Sequence, residues 1–340
     1  MQPLQANITW KQCAHLPTKM DSGQSTVING NIYYGGGLAS AENDCLVYCY
    51  NTQCDRWTPL PQLPVKRFGL GQIDGKLVVV GGMRRDGSII SNELYTTNID
   101  ERSLKWKKKN SPMPTARSFP TVVSYHSILI VVGGLLGSEY IGAVEIYSSH
   151  DQQWFISDRL PTPCYNMSAM VIQDKCYLVG GFNNDGTLNH VLYITIHDLI
   201  TKAISVEIFY SLGASNTQSA WKALPNTPTH GPTAVVIAGS LFALGGDETC
   251  TQTMTQERIY VYSPSSNSWV YISDLPAPRI EAAATVPVSY THLRAHETLR
   301  YLVCRLLLEK KKFTHANCQK FSNSCELSFY SYSSWRPSRK

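Results

Sequence analysis

Three arginines of this chain stand at similar places, each three residues after a proline: Arg67 in "PVKR", Arg117 in "PTAR" and Arg279 in "PAPR". A guanidinium offers several N–H donors in one plane and binds a carboxylate through two hydrogen bonds. Such side chains can grip an acidic peptide, and they can equally brace neighbouring elements of a fold. We predict that Arg67 and Arg117 contact a partner, while the bracing role stays open for both.

A second set of candidate binding residues follows five pairs of glycines, in segments that read as loops. Loops on a rigid scaffold carry many binding residues, although ordinary solvated turns have the same polar composition. These loops differ in sequence from one repeat to the next, as is expected where each repeat contributes a different contact to one binding surface. The predicted partner-binding residues among them are Arg84, Arg85, Tyr140, Asn183, Asn184 and Asp247.

Two histidines, His292 and His296, stand four residues apart with Glu297 beside them. On a helix this spacing puts both imidazoles on one face, as a zinc site needs. Histidines so placed on a polar helix are more often solvated, and the segment is unlike the rest of the chain. The sequence also has no GxSxG, HExxH or P-loop motif, and no GxGxxG after a strand. We therefore predict no catalytic residue, no metal site and no cofactor.

The elements that must position these loops recur along the chain. Five apolar runs end in paired glycines, at Gly36 and Gly37, Gly81 and Gly82, Gly133 and Gly134, Gly180 and Gly181, and Gly245 and Gly246. Six tryptophans are spaced by 47, 49, 48, 67 and 48 residues: Trp10, Trp57, Trp106, Trp154, Trp221 and Trp269. A tyrosine stands seven residues before three of them, at Tyr50, Tyr147 and Tyr262.

Each of these marks has a physical reason. Short apolar runs rich in β-branched residues are typical of strands buried on both faces. Paired glycines end such strands where another backbone comes close. A tyrosine or tryptophan fills the space between packed sheets and keeps a polar atom for a hydrogen bond. A four-stranded unit cannot bury its faces alone, so copies of it are expected to pack radially as propeller blades.

This pattern resembles kelch repeats over about Ile8 to Val286. The resemblance implies an all-β, kelch-type β-propeller of six blades, closed by strands from both ends of the domain. The repeats lie near residues 11–57, 58–106, 107–154, 155–221 and 222–269. A partial sixth repeat spans 270–286, and the N-terminal strand 6–13 is expected to complete it. We thus predict one propeller domain over residues 1–286, with its sixth blade truncated.

The repeat stops in mid-blade, and residues 287–340 carry none of its marks except Trp335. The beginning of this tail resembles the translation of a transposase-type sequencing adapter, and its three consecutive lysines resemble read-through of an A-rich stretch. We predict that residues 287–340 are a non-native artefact and not a domain. The alternative, a true C-terminal helix with a basic tail, stays open.

The net charge depends on that tail. Residues 287–340 hold ten of the 30 Lys and Arg and three of the 25 Asp and Glu, so residues 1–286 keep 20 basic and 22 acidic residues. The net charge of +5 becomes −2, which removes the argument for nucleic acid as a partner. Neither a long apolar run nor an apolar leader is visible in the sequence. We predict no membrane contact, a cytoplasmic location and free thiols at the ten cysteines.

The fourth repeat is longer than the others because of an insertion around Ile196–Gln218. Its segment "ISVEIFY" alternates in polarity like a strand. A docking flap and a tolerated surface insertion both stay open.

The kelch resemblance implies a protein-interaction module that presents its loops to a peptide or protein partner. Many kelch proteins are substrate receptors of ubiquitin ligases, with a BTB or F-box segment before the propeller. Here the repeats begin within ten residues of Met1, which favours a propeller-only protein. The alternative function is isomerisation of a sugar acid, with Arg67, Arg117, Glu139 and Glu248 at the channel mouth.

We expect residues 1–286, produced alone, to be poorly soluble or partly unfolded, because an incomplete ring exposes a strand edge and aromatic surface between blades. Size-exclusion chromatography and thermal melting of this fragment beside the full chain measure the effect. A monodisperse fragment that melts cooperatively would contradict the predicted truncation.

Overall fold

A computed structural model of the protein describes residues 9–39, 43–101, 103–203, 219–280, 282–286, 304–309 and 326–332. These residues are mainly strands, with a helical segment at 196–203. Within the described ranges no helix is long and apolar enough to cross a membrane. Seven of the cysteines in these ranges are free thiols: Cys13, Cys45, Cys49, Cys54, Cys164, Cys176 and Cys250.

Five sheets, blades 1 to 5 in chain order, share one plan of four antiparallel strands: inner, second, third and outer. The inner strands are Gln24–Ile28, Gly69–Ile73, Thr121–Tyr125, Ser168–Ile172 and Thr233–Ile237. The second strands are Asn31–Gly35, Lys76–Val80, Ile128–Val132, Lys175–Val179 and Ser240–Leu244. The third strands are Val47–Asn51, Leu94–Asn98, Val144–Ser148, Val191–Thr195 and Arg258–Ser263. The outer strands are Arg56–Pro59, Lys107–Lys108, Gln153–Ile156, Lys222–Leu224 and Ser268–Asp274.

The five inner strands and a further strand, Ala283–Thr285, adjoin one another in a ring around a central channel. The protein is therefore an all-β propeller with five complete blades. Two-residue turns such as Asn29–Gly30 join inner to second strands. Both residues of that turn have positive φ, 51° and 75°, which matches the twist of a tight hairpin.

The sixth sheet is built differently. Its strand order is Thr9–Gln12, Glu326–Tyr332, Cys304–Glu309 and Ala283–Thr285, and two of its three pairings are parallel. The N-terminal strand thus shares a sheet with the strand after blade 5. Two strands from the tail segment 287–340 lie between them. The completion of a kelch-type sixth blade stays a prediction.

The apolar core lies between neighbouring blades. Val47 of blade 1 and Phe68 beside blade 2 belong to one cluster, and Ile146 of blade 3 and Leu178 of blade 4 to another. Four of the tryptophans reach back toward the preceding loop. Indole N–H groups donate hydrogen bonds of 2.8–3.0 Å to loop carbonyls: Trp57 to Ala14, Trp106 to Pro61, Trp154 to Ser111 and Trp269 to Pro225.

The paired glycines are the points where one blade meets the loop of the next. The second glycine donates its N–H to a carbonyl of that loop, from Gly82 to Arg117 at 2.8 Å and from Gly134 to Cys164 at 3.0 Å. Both glycines of these pairs have positive φ. A Cβ on Gly133 would lie 2.2 Å from the Cys164 carbonyl oxygen, so no side chain fits there.

In three of these loops the carbonyl that meets the glycine pair belongs to the residue four places before the inner strand, and the residue at this place is buried in every blade. The residues at this position are Met20, Val65, Arg117, Cys164, Thr229 and, before the sixth inner strand, Arg279. Methionine, valine, cysteine, threonine and arginine side chains therefore all pack in the interior at this position. Burial raises the pKa of the Cys164 thiol to about 12, as an apolar setting requires.

Arg117 is a brace and not a surface contact, which corrects the prediction that it touches a partner. Its side chain has no exposed area, its Nη2 lies 2.6 Å from Oε2 of Glu145, and its Nη1 donates to the carbonyls of Gly133 and Ala143 at 3.0 and 2.9 Å. Burial lowers the pKa of Arg117 and raises that of Glu145, and the attraction between the two charges opposes both shifts. In this blade the pair replaces apolar packing.

Gly133→Ala should destabilise the propeller more than Gly137→Ala. Both positions have a similar positive φ, 61° and 66°, but a Cβ at Gly137 meets nothing within 4 Å. The left-handed conformation costs both variants about 1–2 kcal/mol, and the clash adds about 1–3 kcal/mol at Gly133. Denaturant unfolding of both variants measures the difference. Equal losses would contradict the close contact between blades.

Replacing Arg117 by Met alone, or Glu145 by Leu alone, should cost about 3–5 kcal/mol, because each leaves one buried charge without its partner. The double variant should lose much less, since Cys164 and Leu192 fill the corresponding places in blade 4. Unfolding free energies of the four proteins complete the cycle. Additive losses would show that the ion pair does not couple the two sites.

Candidate partner-binding face

The two predicted sets of binding residues lie on one face of the propeller. The second strand of each blade ends where the inner strand begins, so the loops after the glycine pairs and the loops before the inner strands meet. Backbone pairing joins them, at Met83 with Lys66, at Tyr165 with Phe182 and at His230 with Asp247. We call this the loop face.

Arg67 does not occupy the place of Arg117, although both stand three residues after a proline. Arg67 lies two residues before its inner strand and has a φ of 54°. The same place in other blades is held by Ser22, Phe119, Asn166 and Gly231, all with positive φ. Arg67 is half-buried, and its guanidinium carbon lies 5.4 Å from the centre of the Phe119 ring, a cation–π contact.

Two of the predicted contact residues shape their own loops. The full burial of Asp247 corrects its prediction as a contact residue, while the role of Asn183 in partner binding stays a prediction. Asp247 is fully buried, and its carboxylate accepts hydrogen bonds from the backbone N–H groups of Thr249 and Met254 at 2.9 and 2.7 Å. Asn183 is 8% exposed, and its Oδ1 accepts from the N–H of Asp185 at 2.8 Å. A short polar side chain after a glycine pair closes a turn as readily as it binds a partner.

The remaining predicted residues are accessible. Arg84, Arg85 and Asn184 are exposed, and Tyr140 is half-buried. Arg84 and Arg85 line an open depression of about 700 Å³ at the rim of blade 2, together with Lys108. Asp86 and Glu93 also line this depression, and Lys108 forms an ion pair with Glu93, so Arg84 and Arg85 leave it a small basic excess.

A cluster of four aromatic rings lies on the loop face between blades 3 and 4. Tyr165 is at its centre, with ring centroids 5.5 Å from Phe119, 6.0 Å from Tyr140 and 5.6 Å from Phe182. Tyr165, Tyr140 and Phe182 are half-buried, so part of each ring is accessible. We call these four residues the aromatic cluster. Sequence reasoning singled out only Tyr140, although Phe182 directly follows a glycine pair and Tyr165 follows the loop position of Arg117.

Beside the aromatic cluster runs an open groove of about 550 Å³ between the loops of blades 3 and 4. We call it the blade 3–4 groove. Its lining brings together three of the predicted contact residues, and consists of Ser138, Glu139, Tyr140, Pro163, Asn183, Asn184 and Asp185.

The central channel is narrow. Its cavity measures about 80 Å³, whereas pockets for small-molecule ligands measure roughly 300–1,000 Å³. Gln24 of blade 1 spans part of it: its Oε1 accepts from the N–H of Leu70 at 3.4 Å and of Val122 at 3.2 Å, and its Nε2 donates to the Pro120 carbonyl. The side chain thus satisfies polar groups of inner strands in blades 2 and 3.

The insertion in the fourth repeat begins as the helix at 196–203 and packs on the core through Leu199 and Ala203. The predicted strand "ISVEIFY" lies outside the described residues, as do His292, His296 and Glu297. In the part of the chain that the structure describes, no three His, Cys, Asp or Glu side chains come together as metal ligands would.

Comparisons with known proteins agree with this architecture. A family profile described as "KLHDC2/KLHL20/DRC7 Kelch-repeats domain" matches residues 22–197 and 70–287. Kelch-like protein 23 of Homo sapiens is 25% identical over 285 residues, which cover 79% of this chain and 44% of that protein. Kelch repeat and BTB domain-containing protein 1 of Cowpox virus (strain Brighton Red) is 31% identical over 199 residues, which cover 54% of this chain and 33% of that protein. The chain thus spans less than half of the length of these relatives.

A solved structure, titled "Structure of YjhT", superposes with a TM-score of 0.62 at 16% identity and covers 80% of this chain and 89% of that one. At this identity the likeness concerns the fold alone. The family match over most of the chain, together with the blade plan and the paired glycines, identifies the chain as a member of the kelch-repeat family of β-propellers.

Proposed function

We propose that this kelch propeller is a protein-binding module that holds a peptide segment or a folded partner on its loop face. The aromatic cluster is the observation that carries the proposal. Its rings pack around Tyr165 within 6.0 Å and three of them keep accessible area, although most loop residues around them are polar. Large aromatic side chains and arginine dominate binding energy at protein interfaces.

Arg67 supports this assignment. Its guanidinium stacks on Phe119 at the edge of the aromatic cluster and remains half-exposed. A stacked guanidinium is held in place before a partner arrives, so less side-chain freedom is lost when it binds a carboxylate. Arg84 and Arg85 extend the basic surface outward on blade 2.

The wider role that we propose is that of a substrate receptor or scaffold. The cowpox relative has a BTB domain in its name, and both relatives are more than twice as long as the segment they share with this chain. A propeller supplies the recognition surface in such an assembly, and other segments supply the connection. We also propose that the complete ring has six kelch-type blades, since six strands already surround the channel.

Isomerisation of a sugar acid is the alternative, and it has less support. It needs arginine and glutamate side chains around a cavity that can enclose a small molecule. Arg117 is buried in an ion pair with Glu145, and the central cavity of about 80 Å³ is smaller than such a ligand requires. Glu139 and Glu248 are exposed on the loops of separate blades.

Selection of a displayed random dodecapeptide library on the immobilised full chain tests the binding function. We expect enriched peptides whose affinity falls about tenfold or more for Tyr165→Ala, which corresponds to about 1.4 kcal/mol, because the central ring of the aromatic cluster is lost. Tyr271→Ala is the matched control, since Tyr271 is 51% exposed on the outer strand of blade 5.

Thermal melting of each variant verifies that the fold is kept, and Tyr140→Ala replaces Tyr165→Ala if the latter unfolds. Peptides that bind both tyrosine variants and the wild type equally would place the binding surface elsewhere. The absence of any enriched peptide would count against a peptide-binding function.

A further inference from the structure

The blade 3–4 groove carries charge of one sign. Glu139 and Asp185 both line it and are both exposed, and no lysine or arginine is among its lining residues. The other lining groups are amides, a serine, a proline and the Tyr140 ring. A carboxylate pair beside an aromatic ring attracts cations and disfavours a partner's acidic groups.

The groove is preorganised on short ribbons of backbone. Glu139 and Tyr140 pair with Leu136 and Leu135, and Phe182–Asn183 pairs with Gly186–Thr187. Asn183 is largely buried and fastens the second ribbon: besides accepting the Asp185 N–H, it donates from Nδ2 to the Asp185 carboxylate at 3.4 Å. Both carboxylates are thus attached to ordered backbone, which lowers the entropy cost of binding.

Tyr140 gives the groove one aromatic wall. Its ring packs on Tyr165 at 6.0 Å, so its position is set by the aromatic cluster. A cation over a tyrosine ring gains from the negative face of the π-system, and guanidinium does so more often than ammonium. The groove therefore combines two features that favour a basic side chain, with arginine preferred because its planar donors suit a carboxylate.

The loop face has opposite charges on its two sides. Blade 2 presents Arg67, Arg84 and Arg85 against Asp86, which leaves a basic excess, whereas the blade 3–4 groove presents Glu139 and Asp185, and the aromatic cluster lies between them. A partner segment with one acidic and one basic end matches this arrangement in a single direction only.

Resting on the proposed function, we propose that the blade 3–4 groove binds an arginine or lysine side chain of the peptide partner, and that this contact sets the direction of the peptide on the loop face. The acidic residues of the partner then lie toward blade 2. The basic side chain occupies the groove next to an apolar or aromatic residue that packs on the aromatic cluster.

The same dodecapeptide library, selected on three full-length proteins, tests this inference. The first is the wild type, and the second is Glu139→Gln with Asp185→Asn, which removes both groove carboxylates. The third is Glu248→Gln with Glu257→Gln, a control with the same change in net charge at exposed residues of blade 5 outside the groove. We expect a basic residue at a fixed position in peptides from the wild type and the control, and its loss from the groove variant.

Binding of the best wild-type peptide supplies the quantitative readout. Replacing its arginine by citrulline, which keeps the shape and removes the charge, should weaken binding to the wild type about tenfold or more. The same replacement should change binding to the groove variant little, because the coupling partner is already absent. Citrulline should weaken binding to the control protein as much as to the wild type.

The outcomes separate the two proposals. Enriched peptides without a basic preference, or a preference that the groove variant retains, would overturn the inference and leave the binding function standing. A library that yields no binder to the wild type would count against peptide binding by the loop face, and it would overturn the inference with it.

Discussion

The structure depends on close backbone contact between neighbouring blades at the paired glycines. There an N–H of one blade donates directly to a carbonyl in the loop of the next, and a single added methyl group at Gly133 would overlap that carbonyl. The contact sets the distance between blades, and with it the space that the aromatic and aliphatic side chains must fill. It also anchors the loops before the third, fourth and sixth inner strands, so these loops can differ in sequence around a common backbone contact.

The loop position next to the glycine contact stays buried whichever residue type occupies it. Methionine, valine, cysteine, threonine and arginine all occupy it without reaching solvent. Arg117 fits there because Glu145 balances its charge and two carbonyls accept hydrogen bonds from its Nη1. An arginine in a loop is therefore weak evidence for a binding site when the position itself is internal. Arg67 stands two residues before its inner strand and not at the buried position four residues before it, and part of its side chain is accessible.

The loop face combines an apolar centre with charged sides of opposite sign. The aromatic cluster offers area that is partly exposed, and the charges around it are distributed by blade. Interfaces gain affinity from a few buried aromatic and arginine anchors and gain direction from complementary charge. A rigid disc with such a face suits the partner binding that we propose, because complementary charge would select one orientation without a conformational change of the propeller.

The repeat marks in the sequence were sufficient to predict the propeller, the four-stranded blades and the loops that carry the candidate site, because each mark follows from a local requirement of strand, turn or inter-sheet packing. The sequence alone also placed Tyr140, Asn184, Arg84 and Arg85 on accessible loops. Only the tertiary structure decided that Arg117 and Asp247 are internal, since burial depends on the neighbouring blade and not on spacing from a proline or a glycine. It alone assembled the aromatic cluster, whose members come from the loops of two blades and lie up to 63 residues apart in the chain, from Phe119 to Phe182. Contacts between distant segments arise from the radial packing of the blades, and no local pattern in the sequence records them.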